Sequence, residues 1–401
     1  MIASRTEGLR RLEAFVPHAA HAYASGRNTD NGPDRPSAVS MLSPYLRYRL
    51  ISEREVVSTV LKQHSLQAAE KFVQEVLWRT YWKGWLEMRP EVWMRFVQER
   101  DRAHDQVSSN NAHATAVRNA ENGCTGIEGF DDWARELVTT GYLHNHARMW
   151  FASIWIFTLR LPWSLGADFF LRHLVDADAA SNTLSWRWVA GLQTAGKTYL
   201  ATADNISRNT NGRFYPKGLA NHADALTEVP VSGPQALPEA GHYNAAEPSL
   251  MLITHEDMHP ESVLPDRNSV KSALITADTA SLWGAASAKF VTEAATDCAA
   301  RIDKESKFPC QTIQMLDADT LIAAAQAANV KQIITPYAPV GPLADRLRSI
   351  SGALSSAGIN VSQVRRSWDT QFWPHAKKGF FPFKEQIGKG LVAENVLRSH
   401  K

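Results

Sequence analysis

One stretch decides how this chain is interpreted: Asp176-Ala177-Asp178-Ala179-Ala180-Ser181-Asn182, followed closely by Trp186-Arg187-Trp188. It places two acids two residues apart, an amide four residues after the second acid, and then two tryptophans. Buried acids and amides require partners. Gathering such a set beside apolar helices therefore points to a ligand that is both polar and aromatic. A flavin fits that description.

Length and charge set the limits around this stretch. The chain has 401 residues, which is enough for two or more domains with sizeable cores. Its 43 basic and 41 acidic residues give a formal charge of +2. A globally basic DNA-coating protein is excluded, so any contact with nucleic acid must come from a local patch.

Cysteine usage and the N-terminal sequence indicate a soluble protein of a reducing compartment. Three scattered cysteines, Cys124, Cys298 and Cys310, support neither a disulfide framework nor a four-thiolate cluster. No charged-then-apolar leader opens the sequence, and the most apolar run, residues 150–161, is too short to span a bilayer. We expect a cytoplasmic protein without a membrane segment or a metal site.

The first half of the chain predicts an α-helical domain. Ten of the thirteen tryptophans fall between Trp78 and Trp188, among long helical patterns with few β-branched runs. Helix start and stop signals predict helices over residues 53–63, 66–87, 129–140, 145–160 and 167–175.

The second half predicts an α/β layer. Residues 216–248 turn to Pro, Gly, Ala, His and Asn, as expected of a linker. Strand-like runs follow at 251–254, 273–276, 312–316 and 332–335, alternating with helical stretches at 319–328 and 341–357, which favours a parallel sheet. No GxGxxG and no GxxxxGK[ST] occurs. The predicted domains are residues 1–215, a linker 216–248, residues 249–385, and a tail 386–401.

Residues 176–188 resemble the D-G-D-x-A-S-N…W-x-W signature of the photolyase/cryptochrome family. Three further segments follow the family's order: Ser40-Met41-Leu42-Ser43-Pro44-Tyr45-Leu46, Glu75-Val76-Leu77-Trp78-Arg79, and Thr140-Gly141-Tyr142-Leu143-His144-Asn145-His146-Ala147-Arg148-Met149. The resemblance implies a multi-domain α and α/β fold. An N-terminal all-α photolyase-type FAD-binding domain is followed by a smaller α/β domain with a mainly parallel sheet.

The resemblance also implies a set of FAD contacts. In the family, hydroxyls and backbone N–H groups before a short helix hold the phosphates, while acids and an amide hold the isoalloxazine ring. Arg148 is expected to pair with Asp176 beside the flavin. Val39 and Arg49 stand where the family has threonine and glycine. The implied FAD-binding residues are Tyr23, Ser40, Leu42, Ser43, Arg79, Asn145, Arg148, Asp176, Asp178 and Asn182.

Substrate contacts are implied at a second group of residues. In repair members of the family, the glutamate matching Glu75 bonds the damaged pyrimidines and the tryptophan matching Trp78 stacks on them. Asn145 and Met149 occupy positions that cyclobutane-dimer photolyases fill with Asn and Met, and Trp188 matches the tryptophan lining the substrate opening. Thr80 replaces the family's next glutamate.

Electron transfer is implied at the tryptophans. By the resemblance, Asn182 lies beside flavin N5, Trp186 is the proximal electron donor and Trp163 is the middle one. Asn110 occupies the position of the distal donor, so the relay is either shortened or rerouted. The expected catalytic residues are Trp186, Trp163, Glu75 and Asn182.

The α/β half resembles the family's antenna domain more weakly. Residues 251–257 are similar to its first strand and turn, and Phe380-Phe381-Pro382-Phe383-Lys384 to its closing segment. The family normally places that domain first, so the order here is permuted and no antenna chromophore is assumed. An unrelated α/β domain is the alternative.

Three functions remain open from the sequence. The first is blue-light repair of cyclobutane pyrimidine dimers in single- or double-stranded DNA by a monomeric flavoenzyme, a deoxyribodipyrimidine photolyase. The second is a cryptochrome-like photoreceptor that signals through a partner. The third is a light-independent flavin-binding module, which would have no use for Trp78 and Trp188 facing an open pocket.

Overall fold

A computed structural model of the chain describes residues 1–264, 268–306 and 308–398. Part of the tail predicted for residues 386–401 therefore lies outside the described residues, namely 399–401. Within the described part of that tail, Ile387–Ala393 forms a helix.

Helices make up the first half of the chain. They are α1 (Arg5–Phe15), α2 (His21–Gly26), α3 (Ser43–Arg47), α4 (Glu53–Leu61), α5 (Glu70–Glu87), α6 (Pro90–Ser108), α7 (Asn111–Glu121), α8 (Phe130–Thr140), α9 (Asn145–Ser153), α10 (Trp163–His173), α11 (Ala179–Val189) and α12 (Ala203–Asn209). The five predicted helices all occur. Helix α5 begins four residues later than predicted and α10 begins four residues earlier.

Local signals in the sequence account for several of these boundaries. Ser52 and Glu55 form a reciprocal capping box at the start of α4. Gly141 ends α8 in the left-handed conformation, with φ 69°. The predicted helix 145–160 changes to a π-helical turn at Ile154–Thr158 and stops before Pro162, because proline cannot continue the hydrogen-bond ladder.

The second half contains the parallel sheet. Its strands are β1 (Ser249–Ile253), β2 (Val270–Thr276), β3 (Cys310–Ile313), β4 (Gln332–Pro336) and β5 (Asn360–Val364), and every pairing in the order β3-β2-β1-β4-β5 is parallel. The helices are α13 (Ala285–Glu305), α14 (Ala318–Ala327), α15 (Pro342–Ser356), α16 (Ser367–Phe372), α17 (Phe380–Lys384) and α18 (Ile387–Ala393). The predicted fold class is confirmed.

Strand β5 was missed from the sequence. Its Asn-Val-Ser-Gln-Val composition offers only two apolar residues, and three of its five residues are only half-buried. The position of β5 at the edge of the sheet explains its partial burial, since an outer strand of a parallel sheet covers less of the core. The core beneath the sheet is apolar and includes Leu250, Leu252, Leu274, Ile333 and Leu347.

Packing divides the chain into two compact units. The sheet unit contains Met1–Pro17, Met41–Met88 and the described chain from Pro234 onward; the helical unit contains His18–Ser40 and Arg89–Gly233. Helices α1 and α3 to α5 therefore belong with the sheet. The domain bounds drawn from the sequence follow chain order and stay a prediction. Residues 216–248 form neither helix nor strand.

A buried ionic cluster joins the early helices of the sheet unit to its strands. Arg49 donates to both carboxylate oxygens of Asp369 at 2.8 and 2.7 Å and lies 3.4 Å from Glu53. Arg47 makes a two-point contact with Glu256, which directly follows β1 and its turn. Arg49 has φ 48°, a left-handed conformation that favours glycine.

Glu87 gives the sheet unit a testable pH dependence. Its carboxylate accepts from the Tyr337 hydroxyl at 2.7 Å and from the Val340 N–H. Burial raises the pKa of Glu87 to about 7, although both hydrogen bonds oppose the shift. A carboxyl with a raised folded-state pKa binds more protons in the folded than in the unfolded chain, so stability falls as pH rises from its usual 4.5 to about 7.

Because of Glu87, the unfolding free energy of the wild type should decrease by about 3 kcal/mol between pH 4.5 and 8. We predict that Glu87→Gln does not show this decrease. Glutamine reproduces the protonated carboxyl, with its oxygen accepting from Val340 and its amide donating to Tyr337. Urea unfolding followed by circular dichroism at several pH values measures the effect. The exposed Glu385→Gln is the control, and superimposable pH profiles for Glu87→Gln and the wild type would show that Glu87 is not responsible.

Candidate functional site

The predicted site residues divide between the two units. Those in the sheet unit are Leu42, Ser43, Glu75, Trp78 and Arg79. Those in the helical unit are Tyr23, Ser40, Asn145, Arg148, Met149, Trp163, Asp176, Asp178, Asn182, Trp186 and Trp188. Each set is described within its own unit.

The predicted ion pair of the helical unit is present. Arg148 on α9 donates to Asp176 at 3.0 Å and also to the carbonyl oxygen of Leu143 at 2.8 Å. Asp176 is buried, with 4% of its side chain exposed. Arg148 also lies 5.6 Å from the centre of the Tyr142 ring. A fixed guanidinium at this point provides positive potential next to the predicted ring site.

Helix α11 holds the acid and the amide of the same stretch. Asp178 caps its N-terminus by accepting from the Ser181 N–H at 2.7 Å. One turn later, Asn182 is buried, and its amide nitrogen donates to the Ala167 carbonyl of α10 at 2.9 Å. This bond uses one of the two N–H groups of the amide, so Asn182 can offer its carboxamide oxygen and its second N–H to a ligand.

Trp186 lies on the same face of α11 as Asn182, four residues further on. Its ring packs edge-on against Phe170 at 5.1 Å and Trp155 at 6.3 Å. A Cβ at Gly166 would approach the Trp186 ring to 2.3 Å, so α10 and α11 come this close only because residue 166 is glycine. Trp186 is buried, with 2% of its surface exposed.

The other two tryptophans of the helical unit have different neighbours. Trp188 is half-buried and stacks on Tyr199 with ring centres 5.5 Å apart. Trp163, at the start of α10, is buried and lies 5.6 Å from Phe96 of α6. Tyr199 was not anticipated, because nothing in the sequence links it to Trp188.

The flanking histidines are neutral structural groups. His144 caps α9 by accepting from the His146 N–H at 3.2 Å, and burial lowers its pKa. Burial, together with the neighbouring His144, lowers the pKa of His146 to about 4. Asn145 between them is exposed, and Met149 is half-buried one turn further along α9.

In the sheet unit, Arg79 contacts the predicted phosphate segment. It donates to the backbone carbonyl of Ser43 at 3.4 Å. Leu42 is buried and Ser43 starts α3, which has five residues. A helix this short contributes little dipole, so any phosphate held here depends on local N–H groups rather than on the helix.

Glu75 and Trp78 are both half-buried and share one face of α5. One face of the Trp78 ring stacks on Phe380, with centres 3.7 Å apart and planes at 9°. Trp82 contacts Trp78 at 5.3 Å. Sequence patterns did not predict that Phe380 contacts Trp78, because the two residues lie about three hundred positions apart in the chain.

The helical-unit residues fit a flavin. They combine a cation, two carboxylates, an amide oxygen and a buried indole, which suits a polar ring edge with aromatic faces. The Trp186 indole N–H and the Thr183 hydroxyl are buried and have no hydrogen-bond partner in the described part of the chain. Buried polar atoms of this kind mark a place where a ligand completes the hydrogen bonding.

The described residues support neither a metal site nor a membrane-spanning helix. Among the described residues, no group of three or more His, Cys, Asp or Glu side chains is placed to hold a metal ion. The helices in the described ranges also lack any stretch long and apolar enough to cross a membrane.

The acid, amide and tryptophan arrangement of the helical unit is consistent with the family whose model matches this part of the chain. Residues 72–219 match the family described as the FAD binding domain of DNA photolyase. Over these residues the chain is similar to the photolyase/cryptochrome family, and its cofactor is FAD.

Several relatives share this similarity. A deoxyribodipyrimidine photo-lyase of Streptomyces griseus is 35% identical over 158 residues, covering 39% of this chain and 33% of the relative. The enzyme of the same name from Alkalihalophilus pseudofirmus is 28% identical over 231 residues, covering 55% and 45%. The chain thus matches less than half the length of these curated relatives.

Two solved structures match a similar share of this chain. A class III photolyase from Agrobacterium tumefaciens is 27% identical, with 51% of this chain and 44% of that chain covered and a TM-score of 0.39. A cryptochrome from Synechocystis is 24% identical, with 51% and 43% covered and a TM-score of 0.41.

We predict that Arg148→Met weakens FAD binding at least about tenfold, since a hydrogen bond to a charged group contributes about 1.5–3 kcal/mol. The flavin-to-protein absorbance ratio of the purified chain and titration of the flavin-free chain with FAD measure the change. Arg118→Met, an exposed arginine of the same unit, is the control. Equal FAD affinity in both variants would place the ring away from Arg148.

Proposed function

We propose that this chain is a blue-light-driven flavoenzyme that splits cyclobutane pyrimidine dimers in DNA. The observation that carries the proposal is helix α11, which holds Asn182 and the buried Trp186 on one face and follows directly on Asp176, the partner of Arg148. The enzyme relatives named above support the same activity. The protein is proposed to act as a cytoplasmic monomer.

Bound reduced FAD supplies an electron to the dimer under blue light and recovers it after the two inter-pyrimidine bonds open. The chain's share is positioning and electrostatics. Arg148 would favour a negative charge on the ring, and Asn182 would offer a neutral amide to it. Trp186 would donate electrons one at a time to the illuminated oxidised cofactor; two such transfers, with a proton from water and an external reductant that restores Trp186 after each, would give the reduced form.

The lesion is proposed to be recognised outside the duplex. A dimer inside the stack is out of reach, so it must be flipped into a pocket and stacked on aromatic side chains. In the sheet unit Glu75 accepts hydrogen bonds from the pyrimidine edges and Trp78 supplies a stacking face. Asn145, Met149 and Trp188 of the helical unit stay predicted substrate contacts. Because Phe380 covers one face of Trp78, the base uses the other face or displaces Phe380.

A cryptochrome-like photoreceptor is the second candidate. The stack of Phe380 on Trp78 favours it, because a receptor that does not bind lesions can leave that face filled. The absence of tryptophan at Asn110 points the same way. Retention of Glu75, Asn145 and Met149 favours repair instead, since a receptor would have no pyrimidine to bond.

We predict that Trp186→Phe slows photoreduction of the oxidised cofactor at least about tenfold while FAD content is unchanged, because phenylalanine fills the space but is much harder to oxidise. Absorbance spectra recorded under blue light with an external reductant measure the rate. Trp85→Phe, at a buried position in the sheet unit, is the control. Photoreduction at the wild-type rate in Trp186→Phe would mean that electrons enter elsewhere.

We predict that Glu75→Ala lowers light-dependent repair of irradiated oligothymidine with little change in stability, because its carboxylate acts through the substrate. Trp78→Ala should weaken lesion binding by about 1 to 3 kcal/mol if stacking is its role. Chromatographic counting of restored thymines and binding titrations measure the two effects. Glu70→Ala, on the same helix α5, is the acidic control.

The same assay separates repair from signalling. Lesion binding by an enzyme should fall as salt rises, since basic side chains must hold the flanking phosphates. Wild-type protein that is loaded with reduced FAD yet neither binds nor repairs irradiated oligothymidine would overturn the enzyme proposal and favour the photoreceptor.

A further inference from the structure

Residues 373–384 of the sheet unit, here called the α5-bound segment, run along helix α5 in the opposite direction. At one end, Trp373 packs against Gly84, where an added Cβ would lie 2.8 Å from the Trp373 Cα. In the middle, the Tyr81 hydroxyl donates to the Lys378 carbonyl oxygen at 2.8 Å. The backbone of the segment is therefore fixed against α5 at these two points.

Two more contacts fasten the other end of the α5-bound segment. The Phe380 ring stacks on Trp78 with centres 3.7 Å apart, and Lys384 forms an ion pair of 2.8 Å with Glu70 at the start of α5. The four contacts follow one another in reverse order along α5, from Gly84 back to Glu70. Packing along the whole length of the segment thus determines which of its side chains face solvent.

One aromatic side chain of this segment faces solvent. In helix α17, Phe380 and Phe383 are buried, whereas Phe381 is 81% exposed, the largest fraction for a bulky apolar side chain among the described residues. An isolated exposed apolar residue needs no explanation by itself. Here, however, the backbone beneath Phe381 is anchored, so the ring is held in solvent with most of its surface open to stacking.

The α5-bound segment is also basic. It contains three lysines and no acid, so its formal charge is +3, against +2 for the whole chain. Lys377 and Lys378, just before α17, are both exposed. Cations beside an exposed aromatic ring complement a polyanion that carries planar groups.

An open pocket adjoins the same segment. Its volume is about 370 Å³, and it is lined by Met88, residues 234–237, Pro374 and Lys377, all of the sheet unit. The lining side chains are apolar except for those of Gln235 and Lys377. A carboxamide offers both hydrogen-bond donors and an acceptor. Apolar walls with few polar groups suit a flat heterocycle that has a polar edge.

We propose that the α5-bound segment binds single-stranded DNA. One base stacks on Phe381, a neighbouring base enters the pocket, and Lys377 and Lys378 hold the phosphates between them. An unpaired strand is required, because the faces of bases inside a duplex are already stacked. The inference rests on the proposed function only for the choice of DNA over RNA, and the contact itself needs neither a lesion nor light.

Two other kinds of partner fit this surface less well. A membrane surface would require a larger apolar area. Within residues 373–384, all of which the structure describes, Phe381 is the one large apolar side chain that is exposed. An acidic peptide would satisfy the lysines but offers few planar groups for the Phe381 ring.

Fluorescence anisotropy of labelled, undamaged oligothymidine tests the surface, using the full-length, FAD-loaded protein in the dark. Phe381→Ala should weaken binding about tenfold, within the range for loss of one base–aromatic stack. Phe381→Tyr keeps a planar ring and should bind as the wild type does. Phe381→Leu is apolar but not planar, so it should bind as weakly as Phe381→Ala. Tyr215→Ala, which removes an exposed aromatic ring of the helical unit, is the control and should leave binding unchanged.

Salt dependence separates the lysines from the ring. On a single strand, each phosphate contact contributes about 0.7 to the slope of log affinity against log salt concentration. Lys378→Gln should therefore reduce the magnitude of the slope by about 0.7, whereas Phe381→Ala should leave the slope unchanged. Lys331→Gln, which removes an exposed lysine elsewhere in the sheet unit, is the matched control.

Four outcomes would overturn the inference. Equal affinity in Phe381→Ala and Tyr215→Ala would show that the ring does not stack on a base. Equal affinity of the wild type for a fully paired duplex would exclude a single-strand site. Tighter binding of oligouridine than of oligodeoxyuridine would assign the surface to RNA. Binding to phosphatidylserine vesicles, or self-association in sedimentation, that depends on Phe381 while oligothymidine is not bound would assign it to a membrane or to a second copy.

Failure of this inference can be told apart from failure of the proposed function. If Phe381→Ala binds undamaged oligothymidine as the wild type does while irradiated oligothymidine is repaired in light, this surface is lost and the repair function stands. If binding depends on Phe381 but no dimer is repaired, the surface stands and the repair function is lost.

Discussion

The close contact between α10 and α11 is the constraint on which the helical unit depends. Residue 166 has no side chain, and a Cβ there would meet the Trp186 ring at 2.3 Å. The Asn182 amide bonds the Ala167 carbonyl next door. These two contacts fix the rotation of α11, and the rotation decides which face presents Asn182 and Trp186. A shift of α11 by one turn would break both contacts. The geometry of the site is therefore set by the packing of α10 against α11.

Both units also contain buried charged side chains. Arg148 with Asp176, Arg187 with Glu228, and Arg49 with Asp369 are all charge pairs with at least one buried member. Such pairs contribute little net stability compared with apolar residues of similar volume, but removing one partner leaves an uncompensated charge. Their effect is therefore to hold segments at fixed positions. Arg49 holds a backbone conformation that glycine would adopt freely.

The sequence predicted part of the local elements and few of the long-range pairings; the long helix α6 and strand β5 were not predicted. Helices with clear caps, such as α4 and α8, and strands with dense apolar runs, such as β1 and β4, were predicted because the signal lies within a few residues. The Arg148–Asp176 pair followed from the family resemblance. The stacking of Phe380 on Trp78 was not predicted, since it joins two segments whose own patterns are ordinary. Roles assigned to individual residues toward FAD and DNA stay predictions.

The way in which the sheet unit is assembled has a consequence for how the chain folds. Its members come from both ends of the sequence, and the bond from Arg49 to Asp369 spans 320 residues. The helical unit, by contrast, consists mainly of residues 89–233 in one continuous run. Long-range pairing is slow because loop-closure entropy is paid before contacts reward it. The sheet unit therefore cannot complete its packing until the segment that carries Asp369 and Phe380 has been synthesised, whereas the helical unit has all its residues once the chain has emerged to Gly233.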